Sequence, residues 1–238
     1  MQQTLSPWRV LAAPGVVGAV VLALTAAPAS GAGLMIDDFV DGLISLDVVA
    51  PGAGSQAVAA SVPGGTRSIE VVNTGLGLTH AEVVGLDAYI ETVLDVADTL
   101  TPSVVTLGYN TSGAGDFSAY DAFEIEIDEL QFEAGGALSA EIRVSDAGGS
   151  ASRSLVLNTE IIDNGFDPDV TYSFPFSEFV GAPIDWSNLT SIEVVFDTLG
   201  NQNVDYRVES ITAVPEPSAW WLLALGAGAA FRRRRHAA

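Results

Sequence analysis

The chain has 238 residues, of which 48% are hydrophobic, and it contains neither cysteine nor lysine. Disulfides, thiolate metal sites, a cysteine nucleophile and Schiff-base chemistry on lysine are therefore excluded. Charge is unevenly placed, because residues 33–213 carry four arginines against 29 acidic residues, a formal charge of −25. Such a body repels nucleic acid and anionic lipid, so no nucleic-acid partner is expected.

Residues 1–32 have the features of a secretory signal peptide with a helical apolar centre. Arg9 is the only positively charged side chain of the N-terminal region, and the run from Val16 to Ala27 is apolar. Ala27-Pro28-Ala29 and the stretch from Ser30 to Ala32 are two candidate cleavage sites with small residues. An uncleaved membrane anchor is the alternative, and the body is exported in either case.

Residues 33–213 show a hydrophobic period of two, which predicts β-strands. The stretch "AFEIEID" places Phe123, Ile125 and Ile127 on one face and acidic residues on the other. Leu130 then continues with the opposite parity, which predicts a bulge near Asp128 and Glu129. The stretches "AEIRVSD", "SIEVVFD" and "VDYRVE" alternate in the same way. Further strands are predicted at Ile36–Phe39, Leu43–Val49, Arg67–Val72, Tyr89–Leu94, Val104–Tyr109, Ser154–Ile161 and Thr171–Phe176.

Turn sequences such as "PGAGS", "VPGGT", "NTGLG" and "DAGGS" separate these strands at short intervals. About ten short antiparallel strands with polar outer faces predict an all-β sandwich. The stretch "PFSEF", residues 175–179, is expected to form a loop or a single helical turn.

The order of "IDDFVDG", "GGTRSIEV", "FPFSEF", "DWSNLTSIEVVFD" and "VDYRVESI" resembles the jelly-roll β-sandwich of the galactose-binding-like superfamily. Many non-catalytic carbohydrate-binding modules share this order of segments. The resemblance covers most of residues 33–213 and implies a jelly-roll-like antiparallel sandwich, but a fold does not by itself give a function.

Catalytic chemistry has little support in the sequence, and we expect no enzyme activity. His80 is the only histidine of the body, it is predicted to lie in a surface loop, and no Gly-x-Ser-x-Gly motif accompanies it. A glycosidase needs two facing carboxylates, and 29 acidic residues supply such a pair by chance without indicating which one.

Calcium is the one cofactor that the sequence leaves open. The stretch "DNGFDPD" brings Asp163, Asp167 and Asp169 into one loop, and Asp37 and Asp38 open the first strand. Carboxylate oxygens are the ligands that Ca²⁺ prefers, but neither stretch follows a known calcium-loop pattern. An acidic turn without metal is the alternative.

Three aromatic residues are candidates for contact with a glycan, because sugar sites usually combine an aromatic surface with polar neighbours. Tyr109, Tyr120 and Trp186 lie in or near predicted loops. The alternative for Trp186, the only tryptophan of the body, is packing beside the "FPFSEF" segment.

The last 25 residues, 214–238, form a separate segment. It begins with Val214, Pro215, Glu216 and Pro217, and an apolar run follows from Ala219 to Phe231. Thirteen helical residues span roughly 20 Å, which makes a short transmembrane helix against a hydrocarbon core of about 30 Å. Two tryptophans suit the outer interface and four arginines suit the cytoplasmic side: Trp220, Trp221, Arg232, Arg233, Arg234 and Arg235.

This order of Pro-Glu-Pro, apolar helix and arginine cluster resembles the PEP-CTERM sorting signal. The resemblance implies recognition by an exosortase, transient residence in the inner membrane and cleavage near the Pro-Glu-Pro motif. Release to the outer surface or the extracellular matrix follows, and this class is associated with extracellular polysaccharide and biofilm. A tail anchor that is never processed is the alternative.

The first functional hypothesis is therefore an exported, exosortase-processed surface or matrix protein whose sandwich is structural or adhesive. The second is a polysaccharide-binding module, assisted by calcium or not. A hydrolase is the third, and a buried, closely spaced carboxylate pair in a cleft would favour it.

Overall fold

The computed structural model describes residues 33–49, 51–75, 77–85, 87–93, 102–132, 136–161, 169–201 and 204–215. The predicted signal peptide and C-terminal helix lie outside these residues. Within them, no helix is long and apolar enough to span a membrane. The described residues form fourteen strands: β1 (Leu34–Asp37), β2 (Ile44–Val49), β3 (Gly52–Ala59), β4 (Thr66–Asn73), β5 (Leu78–Val84), β6 (Asp87–Val93), β7 (Ser103–Asn110), β8 (Ala122–Gln131), β9 (Leu138–Ser145), β10 (Ser150–Leu157), β11 (Val170–Pro175), β12 (Val180–Gly181), β13 (Ser191–Asp197) and β14 (Asp205–Val214).

The strands form two antiparallel sheets. Sheet A has the order β11-β8-β14-β6-β5-β2. On one edge of β14, its first half pairs with β6 and its second half pairs with β1. Sheet B has the order β12-β10-β9-β13-β7-β4-β3. The predicted all-β antiparallel sandwich is confirmed.

Alternation along the strands supplies the core between the sheets. In β8, Phe123, Ile125 and Ile127 are fully buried, and the acidic residues between them point outward. Buried side chains from both sheets form one continuous apolar cluster. The "PFSEF" segment contains a single 3-10 turn, Phe176–Glu178, as predicted.

The predicted bulge in β8 is confirmed and has a counterpart in the neighbouring strand. Arg207 pairs with Glu129 and Val208 pairs with Ile127, so Asp128 is an extra residue in β8. Ser210 then pairs with Glu126, so Glu209 is an extra residue in β14. The two bulges cancel in register, and each adds one partly exposed acidic residue.

Three of the strands in the described residues were not predicted: β3 and β5 lack the usual alternation of apolar residues, and β12 has only two residues. β3 is rich in glycine, alanine and serine, its first residues belong to the predicted turn "PGAGS", and it lies at the edge of sheet B where little of it is buried. β5 contains His80, which was predicted to lie in a loop. β10 begins four residues before the predicted start at Ser154, and Ile161 makes only an isolated bridge to Leu130.

A buried ion pair joins the two sheets. Arg67 of β4 and Asp37 of β1 are both inaccessible to solvent, and two guanidinium nitrogens contact the two carboxylate oxygens, with Nε at 2.5 Å from Oδ2. The remaining nitrogen of Arg67 donates to the carbonyl oxygens of Asp41 and Gly42 at 2.7 and 2.9 Å. The hydroxyl of Tyr109 donates to Asp37 at 2.9 Å. All the groups around this buried charge are therefore paired.

Replacing Arg67 by methionine should lower the free energy of unfolding by about 3–5 kcal/mol, because it leaves the carboxylate of Asp37 buried without its cation. Arg143→Met is the matched control, since Arg143 pairs with Glu141 on the exposed surface and such a pair contributes about 0.2–1 kcal/mol. Denaturant unfolding of the two variants measures both values. Equal losses would show that the buried pair has no special role.

Candidate functional sites

The sorting segment begins where β14 ends. Ala213 is fully buried and pairs with Leu34 of β1 on one side and with Phe123 of β8 on the other. The carbonyl oxygen of Val214 accepts a hydrogen bond from the backbone N–H of Asp121 at 2.9 Å. The first proline of the motif, Pro215, therefore follows the sheet without a linker. Glu216, Pro217, Trp220, Trp221 and Arg232 to Arg235 lie outside the described residues.

A surface cleft of about 340 Å³ lies at this point of the sandwich. Its walls come from the end of β14, the start of β8 and the turn after β11: Asp121, Ala122, Glu124, Ser173, Pro175, Phe176, Ser177, Val214 and Pro215. The backbone N–H of Phe176 donates to the carbonyl oxygen of Asp121 at 2.7 Å. Backbone hydrogen bonds thus connect the start of the sorting segment to the 3-10 turn.

An aromatic cluster packs beside this cleft. The ring of Trp186 lies parallel to that of Phe176, with centroids 3.8 Å apart, and the edge of Phe179 meets the same tryptophan at 5.4 Å. Phe123 anchors the cluster in the core, 4.8 Å from Phe176. Trp186 therefore packs beside the "FPFSEF" segment, as the alternative interpretation predicted, and one face of its ring is covered.

The three candidate glycan residues lie in different environments. Tyr109 is buried in the core, and burial together with the charge of Asp37 raises its pKa well above the ordinary value. Its ring presents no face to a sugar, because it packs between the sheets. Tyr120 and Trp186 are both half-buried. Trp186 belongs to the aromatic cluster, and the ring of Tyr120 lies 6.2 Å from that of Phe117.

An acidic cluster forms across three neighbouring strands of sheet A. Glu126 of β8, Glu209 of β14 and Asp169, which directly precedes β11, each offer an oxygen within 4.8 Å of the other two. Ser210 donates to Glu126 at 2.9 Å. The bulge at Glu209 helps to gather these side chains, because it inserts an extra outward residue into β14 at this point.

The chemistry of this cluster follows from the proximity of like charges. Partial burial, followed by the charges of Asp169 and Glu126, raises the pKa of Glu209 to about 7. A proton shared within the cluster, or a divalent cation, would relieve the repulsion. Two carboxylates from paired strands and one from the residue before β11 provide oxygen ligands of the kind that Ca²⁺ takes.

This cluster differs from the predicted calcium loops. Asp163 and Asp167 lie outside the described residues, and only Asp169 of that loop belongs to the cluster. Its partners Glu126 and Glu209 are distant in sequence and are brought close by strand pairing. Asp37, the other candidate, forms the buried ion pair with Arg67, so its carboxylate is not available to a metal cation.

His80 lies in β5 and not in a loop. Its Nδ1 lies 2.6 Å from Asp47, and its Nε2 lies 3.3 Å from Glu82. Partial burial lowers the pKa of His80, but the hydrogen bonds to these two carboxylates outweigh that effect and raise it. The environment stabilises the imidazolium and makes His80 a partner of surface acids.

Residues 213–235 match the family model of the PEP-CTERM protein-sorting motif. The match begins inside β14, at the buried residue Ala213. The motif indicates an exported protein that is sorted to the cell envelope. A search of curated protein sequences finds no match to the chain.

Among solved structures, the chain is similar to the family 11 carbohydrate-binding module from Clostridium thermocellum in complex with a β-1,3-1,4-mixed-linked tetrasaccharide. The identity is 15%, 78% of this chain and 98% of that one are covered, and the TM-score is 0.40. A loop-swap mutant of Xyn11A from Necallimastix patriciarum is 11% identical, with 71% and 100% covered and a TM-score of 0.36.

Replacing Glu209 by glutamine should change the pH dependence of stability. The fold favours the neutral form of Glu209, so its contribution to stability is complete below the ordinary pKa of 4.5 and is lost as the pH rises through about 7. Glu209→Gln should therefore raise the melting temperature at pH 8 and leave it unchanged at pH 4. Glu70→Gln, on an exposed site of β4, removes the same charge from sheet B and serves as the control. A gain for both variants alike would attribute the effect to net charge alone.

Proposed function

We propose that this is an exported protein, processed by an exosortase and placed at the outer surface or in the extracellular matrix, with a non-catalytic structural or adhesive sandwich. The observation that carries the proposal is the sorting motif at residues 213–235, which starts in the last strand of the sandwich. The described residues before the motif are folded into or around two sheets. Removal of the segment after Val214 would leave that body intact.

The acidic surface fits a structural role outside the cell. Four arginines against 29 acidic residues keep such domains apart from one another and soluble at low salt. Divalent cations screen this repulsion, so the matrix environment would control how closely copies approach. No lysine is present, and Arg67 is buried, so little positive charge remains on the surface.

A second candidate function is polysaccharide binding assisted by calcium. Tyr120 and Trp186 support it, because both side chains are partly exposed on the surface of the sandwich. The acidic cluster supports the calcium, since Asp169 stands at the start of β11 and β11 continues into the turn that carries Phe176. A cation held by Asp169, Glu126 and Glu209 would therefore restrict the motion of β11, which leads to the aromatic cluster.

A hydrolase is less well supported. Glu126, Asp169 and Glu209 come from adjacent strands of the same sheet, whereas a glycosidase places its two carboxylates on opposite sides of the scissile bond. All three side chains are also at least partly exposed.

Fractionation of the native organism, with the intact mass of the protein from each fraction, tests the first proposal. The mature species should start near Ser30 to Gly33, end near Pro217 and occur at the surface or in the matrix. The full chain, with its four C-terminal arginines, recovered only from the inner membrane would contradict the proposal.

A glycan array, read with calcium and with a chelator, tests the second candidate. Binding should fall at least tenfold in Tyr120→Ala and persist in Tyr172→Ala, a matched loss of a half-buried tyrosine from β11. Glu209→Gln should weaken any calcium dependence. Equal binding by all variants, or none by the wild type, would count against this function.

A further inference from the structure

Strand β3 is one outer edge of sheet B. Within the described residues it pairs with β4 alone, over all eight of its residues and without a bulge, and none of those residues is buried. The neighbouring β2 pairs with β5 instead. In an antiparallel pair, every second residue of an edge strand directs its N–H and C=O away from the partner strand. Half of the backbone groups of β3 therefore point out of the sheet.

The other outer strands of the two sheets carry features that obstruct pairing with another chain. β12 has only two residues, β2 carries Asp47, and β11 follows Asp169 and ends at Pro175. Short strands, charged side chains and prolines are the usual means by which proteins protect a sheet edge. β3 has eight residues and contains neither a charged residue nor a proline. It is thus the least protected of these four edges.

The negative charge of the body is absent from this edge. No acidic residue occurs between Asp47 and Glu70, and Arg67, the one charged residue of that stretch, is buried. Because 29 acidic residues are spread over the rest of the body, two copies repel each other when most of their surfaces approach. The repulsion between copies is weakest where the two β3 edges meet.

Strand pairing at this edge would also keep the nearest carboxylates apart. Glu70 lies on β4, one strand inside the edge. If two β3 strands paired, their Glu70 residues would be separated by three strand spacings, about 14 Å. This distance exceeds the Debye length of about 8 Å at physiological ionic strength, so the two charges are largely screened.

We propose that β3 is a self-association site: the β3 strands of two copies pair antiparallel about a two-fold axis and join their B sheets into one continuous sheet. This pairing satisfies the outward N–H and C=O groups of both edges, and a two-fold contact closes on itself as a dimer. The inference rests on the proposed structural or adhesive role and adds its partner, a second copy of the chain.

Two-fold symmetry limits the register of the pair. Residues that meet across the axis must have their side chains on the same face, so full overlap of the two strands centres on Ser55 or on Gln56. In either register the two copies of Gln56 lie directly opposite or on a diagonal, about 5–8 Å apart. Gln56 is exposed, and its partner in β4 is the uncharged Ile69. A charge at this position therefore tests the contact between copies.

Sedimentation velocity of the protein purified from the native organism tests the inference. We expect a dimer that increases with protein concentration and forms more readily at about 0.15 M salt than at about 0.01 M, because the Debye length falls from about 30 to about 8 Å. Gln56→Glu and Gln56→Lys should each weaken the association at least tenfold, since like charges meet near the two-fold axis. An equimolar mixture of the two variants should restore it.

The two variants change the net charge in opposite directions. If net charge alone controlled association, Gln56→Lys would strengthen it and Gln56→Glu would weaken it. Ser173→Glu and Ser173→Lys are the matched controls, because Ser173 is an exposed residue of β11, an outer strand of the other sheet. Both control variants should form the dimer as the wild type does.

The outcomes separate this inference from the proposed function. A wild type that stays monomeric at every concentration and salt, or Gln56 variants that associate as the wild type does, would overturn self-association through β3. A monomer recovered from the surface or matrix would leave the sorting proposal standing. A dimer that keeps its full tail in the inner membrane would contradict the sorting proposal and leave the β3 contact standing.

Discussion

A positive charge with no access to water constrains how the two sheets meet. Arg67 has to satisfy its guanidinium nitrogens inside the protein, and it does so with Asp37 of the opposite sheet and with two carbonyl oxygens of the β1–β2 connection. The connection bends sharply to deliver those oxygens. Phe39 takes a left-handed backbone conformation with φ of 54°, and its ring lies 5.0 Å from the guanidinium carbon.

Gly42 is part of the same arrangement. Its φ of +67° is accessible to glycine at little cost, and a Cβ there would lie 2.8 Å from the Cβ of Ala60. Burial of Arg67 thus constrains the positions of the Asp37 carboxylate, the strained Phe39 and Gly42. These residues and Arg67 are spread over thirty positions of the sequence. Desolvated charges give specificity of this kind because few alternative packings satisfy them.

The sequence was most informative where one face of a strand is buried. The pattern of β8 predicted both its inward face and the bulge at Asp128, since the parity of apolar residues changes there. It was least informative at β3, whose exposed edge position requires no alternation. The acidic cluster could not be predicted, because Glu126, Asp169 and Glu209 are brought together by the order of the strands in sheet A. The bulge at Glu209 has a signature in the sequence, since the buried residues change parity between Val208 and Ile211, but the sequence does not show which strands lie beside it. The exposure of Tyr109 was predicted wrongly for a related reason. A tyrosine near the end of a strand is expected to be exposed, and the sequence does not show that the hydroxyl of Tyr109 donates to the buried Asp37.

The position of β14 also affects how the molecule is made. This strand lies inside sheet A, between β8 on one side and β1 and β6 on the other, yet it is the last strand of the described residues. Among the described residues, β1 pairs only with β14, so this pair closes a loop that spans almost the whole body and cannot form before β14 is present. A chain that is synthesised from its N-terminus therefore keeps sheet A divided until β14 has emerged. Completion of sheet A and synthesis of the residues that match the sorting motif, 213–235, are consecutive events.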